Sequence, residues 1–140
     1  MKRLEIYATL DEIESVAKKL KDIIPSDAVI SLKGDLASGK TTLVSSIVKS
    51  SGDSGAVSPT FAIQHIYSDR YYHYDLYRVD FDTIVSLGLI EEFSKSGWHM
   101  VEWAESELLE LLVRAGFNVW QVEIEPKDSG RLYKIEQLNA

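Results

Sequence analysis

The side chains of this chain that could do chemistry fall into one loop and two clusters on expected strands. The loop is Gly34-Asp35-Leu36-Ala37-Ser38-Gly39-Lys40-Thr41, followed by Thr42. It fits the pattern G-x-x-x-x-G-K-[ST], in which successive backbone N–H groups curl around a phosphate. Gly34 and Gly39 let the backbone turn and approach the phosphates with no Cβ in the way. Lys40 is placed to reach the β- and γ-phosphates, and the Thr41 hydroxyl to ligate Mg²⁺. A glycine-rich turn ahead of a helix could match the pattern by chance, but the flanks favour the phosphate reading. Val29 to Lys33 is a β-branched run that predicts a strand, and Leu43, Val44, Ile47 and Val48 recur at helical spacing. A helix N-terminus behind the loop adds partial positive charge.

A phosphate loop also needs a metal partner and a group that places the attacking oxygen. Trp98-His99-Met100-Val101-Glu102-Trp103 is an apolar strand with a carboxylate at its end, where open α/β sheets put their ligands. Glu102 is expected to complete Mg²⁺ coordination, directly or through water; the alternative is a surface glutamate on an edge strand. The other cluster is His73-Tyr74-Asp75-Leu76-Tyr77-Arg78. An aspartate among aromatics must be solvated, paired or functional, because burying a bare carboxylate is costly. For Asp75, orienting the attacking water and pairing with Arg78 fit the spacing equally. His73 reads as a hydrogen-bonded sheet residue rather than a catalyst, and Tyr71, Tyr72, Tyr74 and Tyr77 read as packing. No close pair of imidazoles suggests a zinc site.

The elements that must position these groups follow from pattern. Arg3 to Ala8 predicts a strand. Thr9 and Glu12 form a capping box for a helix whose apolar face is Ile13, Val16, Ala17 and Leu20. The helix after the loop is expected to end near Ser51-Gly52. Phe61 to Tyr67 and Tyr71 to Tyr77 predict a β-hairpin. A short helix is expected from Asp80 to Leu87, ending at Gly88, with another turn from Leu89 to Phe93. Leu108 to Val113 marks a helix closed by Gly116, and Val119 to Ile124 and Arg131 to Ile135 are strands around a Lys127-to-Gly130 turn. Strands with interposed helices and hairpins predict an α/β, P-loop NTPase-like sandwich with a mixed central sheet.

Composition bounds the rest. The 140 residues suit one domain spanning 1–140, and 45% hydrophobic content suits a folded globule. Fifteen basic against 22 acidic residues give a net charge of −7, which disfavours sequence-independent binding to a nucleic-acid backbone. Without cysteine there is no disulfide and no thiolate chemistry, which suits a reducing compartment. No signal peptide or apolar run of spanning length is visible. A soluble cytoplasmic protein with no membrane partner is expected.

With these blocks in hand, the chain resembles the TsaE family, small bacterial P-loop ATPases needed to make threonylcarbamoyladenosine on tRNA. The resemblance rests on the loop from Gly34 to Thr42, on Ser58-Pro59-Thr60-Phe61, on His73 to Arg78, and on Val101-Glu102-Trp103, in that order. It implies that Ser38, Gly39, Lys40, Thr41 and Thr42 bind ATP phosphates, with Thr41 on Mg²⁺. Ser58 to Phe61 would be a switch segment near the γ-phosphate. Asp75 would be the aspartate required for hydrolysis, Glu102 the metal-site glutamate, and Trp103 its neighbouring tryptophan. By the same analogy Thr9 and Arg131 approach the nucleotide, although a helix cap and a turn explain them equally. The implied partners are TsaD, which transfers the threonylcarbamoyl group, and TsaB, with tRNA contacted only indirectly. The chain departs from the family in having Ala37-Ser38 where Gly-Ala is common, so nucleotide affinity is expected to differ.

A small-molecule kinase would need an acceptor pocket and a lid with clustered arginines. Arg3, Arg70, Arg78, Arg114 and Arg131 are dispersed in sequence. A GTPase would need an Asn-Lys-x-Asp segment, which does not occur. The remaining alternative is an adaptor in which bound ATP orders a docking surface without being hydrolysed.

Overall fold

Four strands of the chain run parallel side by side, and the described residues proposed above for metal or phosphate lie at one end of them. The computed structural model describes residues 3–35, 39–50, 52, 63–67 and 70–139. In chain order the elements are β1 (Arg3–Ala8), a 3₁₀ turn (Leu10–Glu12), α1 (Ile13–Ile23), β2 (Ala28–Lys33) and α2 (Lys40–Ser50). There follow β3 (Gln64–Ile66), β4 (Tyr71–Asp75), α3 (Phe81–Ser86), α4 (Leu89–Glu92), β5 (Trp98–Glu102), α5 (Ser106–Arg114), β6 (Val119–Lys127) and β7 (Gly130–Gln137). The seven strands form one sheet in the order β1-β7-β6-β2-β5-β4-β3. β2 is parallel to β5 and β6, and β4 is parallel to β5. The outer pairs β3–β4, β6–β7 and β7–β1 are antiparallel.

Local chemistry explains the boundaries. The Thr9 backbone N–H and hydroxyl donate to the Glu12 carboxylate at 2.9 and 3.0 Å, satisfying the entry to the first helical turns. The Asp80 carboxylate caps α3 by accepting the Thr83 N–H at 2.8 Å. Gly88 follows at φ +76°, a conformation open to glycine. β6 and β7 extend beyond the expected Ile124 and Arg131 boundaries, so that Lys127 pairs Gly130. Only Asp128 and Ser129 remain as the loop, with Asp128 at φ +53° as tight hairpins require. The β3–β4 hairpin is present, with described strands shorter than the expected runs.

β2 is buried along five consecutive residues from Ala28 to Leu32, as befits a parallel strand covered on both faces. One core, with Leu20 of α1 and Leu43 and Ile47 of α2, packs on Ile30, Leu32 and Met100. The other, with Ile84, Leu89, Leu108 and Leu112 from α3 to α5, packs on Val29, Tyr74, Val101 and Val119. Tyr71, Tyr72 and Tyr74 are buried, whereas Tyr77 is exposed. Among the described residues no helix is long and apolar enough to cross a membrane.

Candidate functional site

β2 ends at Lys33 and α2 begins at Lys40, so Gly34, Asp35 and Gly39 lie at the carboxyl end of β2, beside the start of α2. Gly39 adopts φ +100°, a backbone conformation L side chains rarely take. Leu36, Ala37 and Ser38 lie outside the described residues, as does the expected switch Ser58 to Phe61.

Lys40 is 3% exposed, and a buried ammonium needs partners. It donates to the Gly34 carbonyl at 2.7 Å and lies 3.5 Å from the centre of the Trp103 ring, an attractive arrangement in a desolvated setting. Burial lowers the Lys40 pKa, while the carboxylates of Glu102, Asp75 and Asp35 pull the other way. Trp103 reaches this position from a left-handed backbone, φ +64°, and Arg78 at the end of the neighbouring strand is also left-handed at φ +59°. Non-glycine residues in that region cost roughly 1–3 kcal/mol each, and they gather where surrounding structure holds them for a purpose.

Glu102 does not lie on an edge strand. β5 sits between β2 and β4, and Glu102 is 6% exposed. Its Oε2 accepts the Thr41 hydroxyl at 3.1 Å and faces Nε2 of His73 at 2.5 Å. Burial raises the carboxyl pKa, but His73, Thr41 and Lys40 outweigh that and hold it below the usual range, so the group is ionised. Asp75 stands directly opposite Glu102 in the β4–β5 register. Like charges so placed repel, and Lys40 is the buried cation beside them. Asp75 is not joined to Arg78: its carboxylate accepts the Tyr77 N–H at 3.1 Å, and the Arg78 guanidinium lies 5.0 Å from the Tyr77 ring centre. The Asp75 carboxylate is exposed at the carboxyl end of β4 and held by the Tyr77 N–H.

The structure thus brings Gly34, Gly39, Lys40, Thr41, Asp75 and Glu102 together. Thr42 starts α2 beside them. The Thr9 hydroxyl is engaged by Glu12, but Ala8 before it pairs with Arg131, whose Nε lies 3.7 Å from where a Cβ on Gly39 would stand. Arg131 accordingly borders the loop. A cavity of about 610 Å³ opens at this end of the sheet, lined by Gly34, Lys40, Tyr77, Arg78 and Trp103 among others, a size that suits a small ligand. His73 is a hydrogen-bonded sheet residue, as expected, but its partner, Glu102, is not one the spacing names. Its signal was parity: His73 and Asp75, two apart on one strand, share a face, and that face is the one bearing Glu102.

A donor set of one buried ionised carboxylate, one hydroxyl and a second carboxylate nearby suits Mg²⁺. That ion takes few protein oxygens and completes its octahedron with water and phosphate. Among the described residues no group of three His, Cys, Asp or Glu side chains forms a cage. Thr41 and Glu102 are the side chains that could hold the ion.

Comparison with known proteins gives this geometry a family. Residues 7–133 match the family model for the threonylcarbamoyl adenosine biosynthesis protein TsaE. The chain belongs to the TsaE family. Among TsaE relatives it is 38% identical over 98 residues to the tRNA threonylcarbamoyladenosine biosynthesis protein TsaE of Bacillus subtilis, covering 67% of this chain and 61% of that protein. It is 33% identical over 109 residues to the protein of the same name from Aquifex aeolicus, covering 73% and 77%. The chain therefore spans about three fifths of the Bacillus relative and about three quarters of the Aquifex one. The crystal structure of Bacillus subtilis YdiB superposes with a TM-score of 0.69 at 25% identity, covering 98% of this chain and 86% of that one. The mixed α/β sandwich is thus shared with a solved structure.

Proposed function

We propose that this chain is a Mg²⁺-dependent ATPase that serves the formation of threonylcarbamoyladenosine on tRNA, acting on a TsaD–TsaB complex rather than gripping tRNA itself. Residues 1–140 act as one ATPase unit, in the cytoplasm where tRNA is modified. Membership of the TsaE family and the relatives named for this pathway support the biological setting. The observation that carries the chemistry is the convergence of Lys40, Thr41 and ionised Glu102 behind a phosphate loop, with Asp75 opposite Glu102.

Each residue then has a task. Lys40 leaves the Gly34 carbonyl and the Trp103 face to pair with the β- and γ-phosphates, exchanging weak partners for a stronger, charge-assisted one. The loop amides and the start of α2 hold phosphate oxygens. Ser38 and Thr42 add contacts to the phosphates, and Arg131 and Thr9 border the nucleotide from the β1–β7 side. Thr41 and Glu102 would hold Mg²⁺, which supplies positive charge against the phosphoryl oxygens. The negative charge of Glu102 and Asp75 beside Lys40 supports a cation accompanying the triphosphate. Asp75, exposed and fixed by the Tyr77 N–H, orients the attacking water in line with the γ-phosphate.

The test is phosphate release from ATP by the full chain with Mg²⁺ and with EDTA, alongside nucleotide binding followed by tryptophan emission. The expected result is Mg²⁺-dependent release to water, with an emission change that Trp103→Phe removes. Binding of ATP without release, under every condition including added TsaD–TsaB, would favour the adaptor and withdraw the catalytic roles.

A further inference from the structure

Glu102 and His73 come from different strands, and each is nearly closed to solvent, at 6% exposure. In the β4–β5 register His73 stands opposite Met100, so Glu102 is its diagonal neighbour on the face toward α2. Their contact, Nε2 to Oε2 at 2.5 Å, is the shortest charge-bearing contact at the site. The same Oε2 takes the Thr41 hydroxyl, while Oε1 receives no hydrogen bond from the described residues. One oxygen of the carboxylate is therefore tied from two sides and the other is left open. On its far side the imidazole presents Nδ1 to the Tyr67 hydroxyl at 3.5 Å, with the two rings stacked at 6.4 Å.

A glutamate side chain has three rotors, and a metal-binding carboxylate on such a stem is effective only if something else fixes it. Outer-shell hydrogen bonds do this at metal sites. We propose that His73, a residue assigned no role in the site above, is a positioning residue that donates Nε2–H to Glu102 Oε2 and sets the carboxylate for Mg²⁺ before nucleotide arrives. Tyr67 supports the same tautomer by donating its hydroxyl proton toward Nδ1. The inference rests on the Mg²⁺–nucleotide reading of the site, and two separate readouts keep their failures apart.

The first readout is the imidazole ¹⁵N spectrum of the full chain without metal or nucleotide. The expected result is a His73 that carries a proton on Nε2, whose resonances shift in Glu102→Gln. An Nδ1-protonated tautomer, or a His73 spectrum unmoved by Glu102→Gln, would overturn the inference whatever the chain does with ATP. The second readout is the Mg²⁺ concentration that gives half of the thermal stabilisation by ADP. His73→Ala should raise it about 10–100-fold, the range for lost outer-shell partners. His73→Gln, whose amide can donate to Glu102, should lie closer to wild type. A His73→Ala protein with unchanged Mg²⁺ dependence, or Ala and Gln variants equally impaired, would reduce His73 to sheet packing. Should His73→Ala not fold, Tyr67→Phe takes its place, with a smaller rise expected and no rise counting against the inference. Absence of any Mg²⁺-dependent nucleotide binding in the wild-type chain would instead remove the reading of the site on which the inference stands.

Discussion

Strands β4 and β5 bury a histidine on each face, and the two are settled in opposite ways. On the side of α3 to α5, His99 Nδ1 lies 2.8 Å from the Tyr74 hydroxyl and its Nε2 lies 2.8 Å from the Lys95 carbonyl. The Tyr72 ring stacks on it at 4.3 Å and Phe93 meets its edge. Both ring nitrogens have neutral partners, and burial lowers the His99 pKa, so the ring stays uncharged. On the side of α2, His73 faces an ionised carboxylate that shares its oxygen with Thr41, beside an ammonium resting on a carbonyl and an indole. The first network is closed at the imidazole, where both ring nitrogens are satisfied without a charged partner. The second gathers charged groups about one carboxylate, as the proposed ion and phosphate would require.

Substitutions on the two faces should therefore fail differently. The largest effect is expected from Lys40→Ala, which removes the buried lysine proposed to pair with the phosphates. Turnover should fall about 10²–10³-fold, as for other removed electrostatic donors, with the urea midpoint nearly unchanged. Turnover close to wild type would break the contrast at its open end. His99→Leu should do the reverse. It leaves the Lys95 carbonyl without its imidazole donor and the Tyr74 hydroxyl, which still accepts from Gln64, without the imidazole acceptor, at about 1–3 kcal/mol for each unmet group, read as a lower urea midpoint at constant slope. The nucleotide dissociation constant should stay within about twofold of wild type. A His99→Leu protein that is stable but unable to bind nucleotide would mean that the closed network belongs to the site after all.

The smallest effect is in pH. The His99 pKa is depressed in the folded chain, so between its folded value and the ordinary 6.5 the unfolded chain binds a proton that the folded chain does not. His99 thus contributes stability fully present above about pH 6.5 and lost as pH falls below it, with a slope of at most about 1.4 kcal/mol per unit. Glu102, also depressed, contributes in the same direction, but only as pH falls below the ordinary 4.5. Chemical denaturation in steps from pH 7.5 to 5 should show the first slope in wild type and its loss in His99→Leu. An equal slope in both would assign it to another group.

Much of this was legible in the sequence because it is local. The Thr9–Glu12 box, the short helix that begins at Asp80, the hairpin turn at Asp128 and the strand ending in Glu102 depend on neighbours within a few residues. The loop from Gly34 to Thr41 fits a phosphate-binding pattern on its own residues. What spacing could not show is which strands lie side by side. Glu102 could be read as an edge residue until β5 was found between β2 and β4. His73 and Glu102 are 29 positions apart, and strand parity gives the face of each but not their register. The same holds for Arg131, whose approach to Gly39 depends on a long hairpin folding back against β1. Asp75 and Arg78 show the opposite limit, since closeness in sequence left open a pair that the structure does not form.

The account stands on Lys40, Thr41, Asp75 and Glu102 acting together on a Mg²⁺–nucleotide. The most direct measurement is steady-state phosphate release from ATP by the full chain with the matching TsaD–TsaB pair, for wild type, Asp75→Asn and Glu102→Gln. The account predicts release that the pair stimulates and that Mg²⁺ removal abolishes, with both variants at least about 10²-fold slower yet still folded and still binding nucleotide. Release by either variant at the wild-type rate and with the same Mg²⁺ dependence would contradict it.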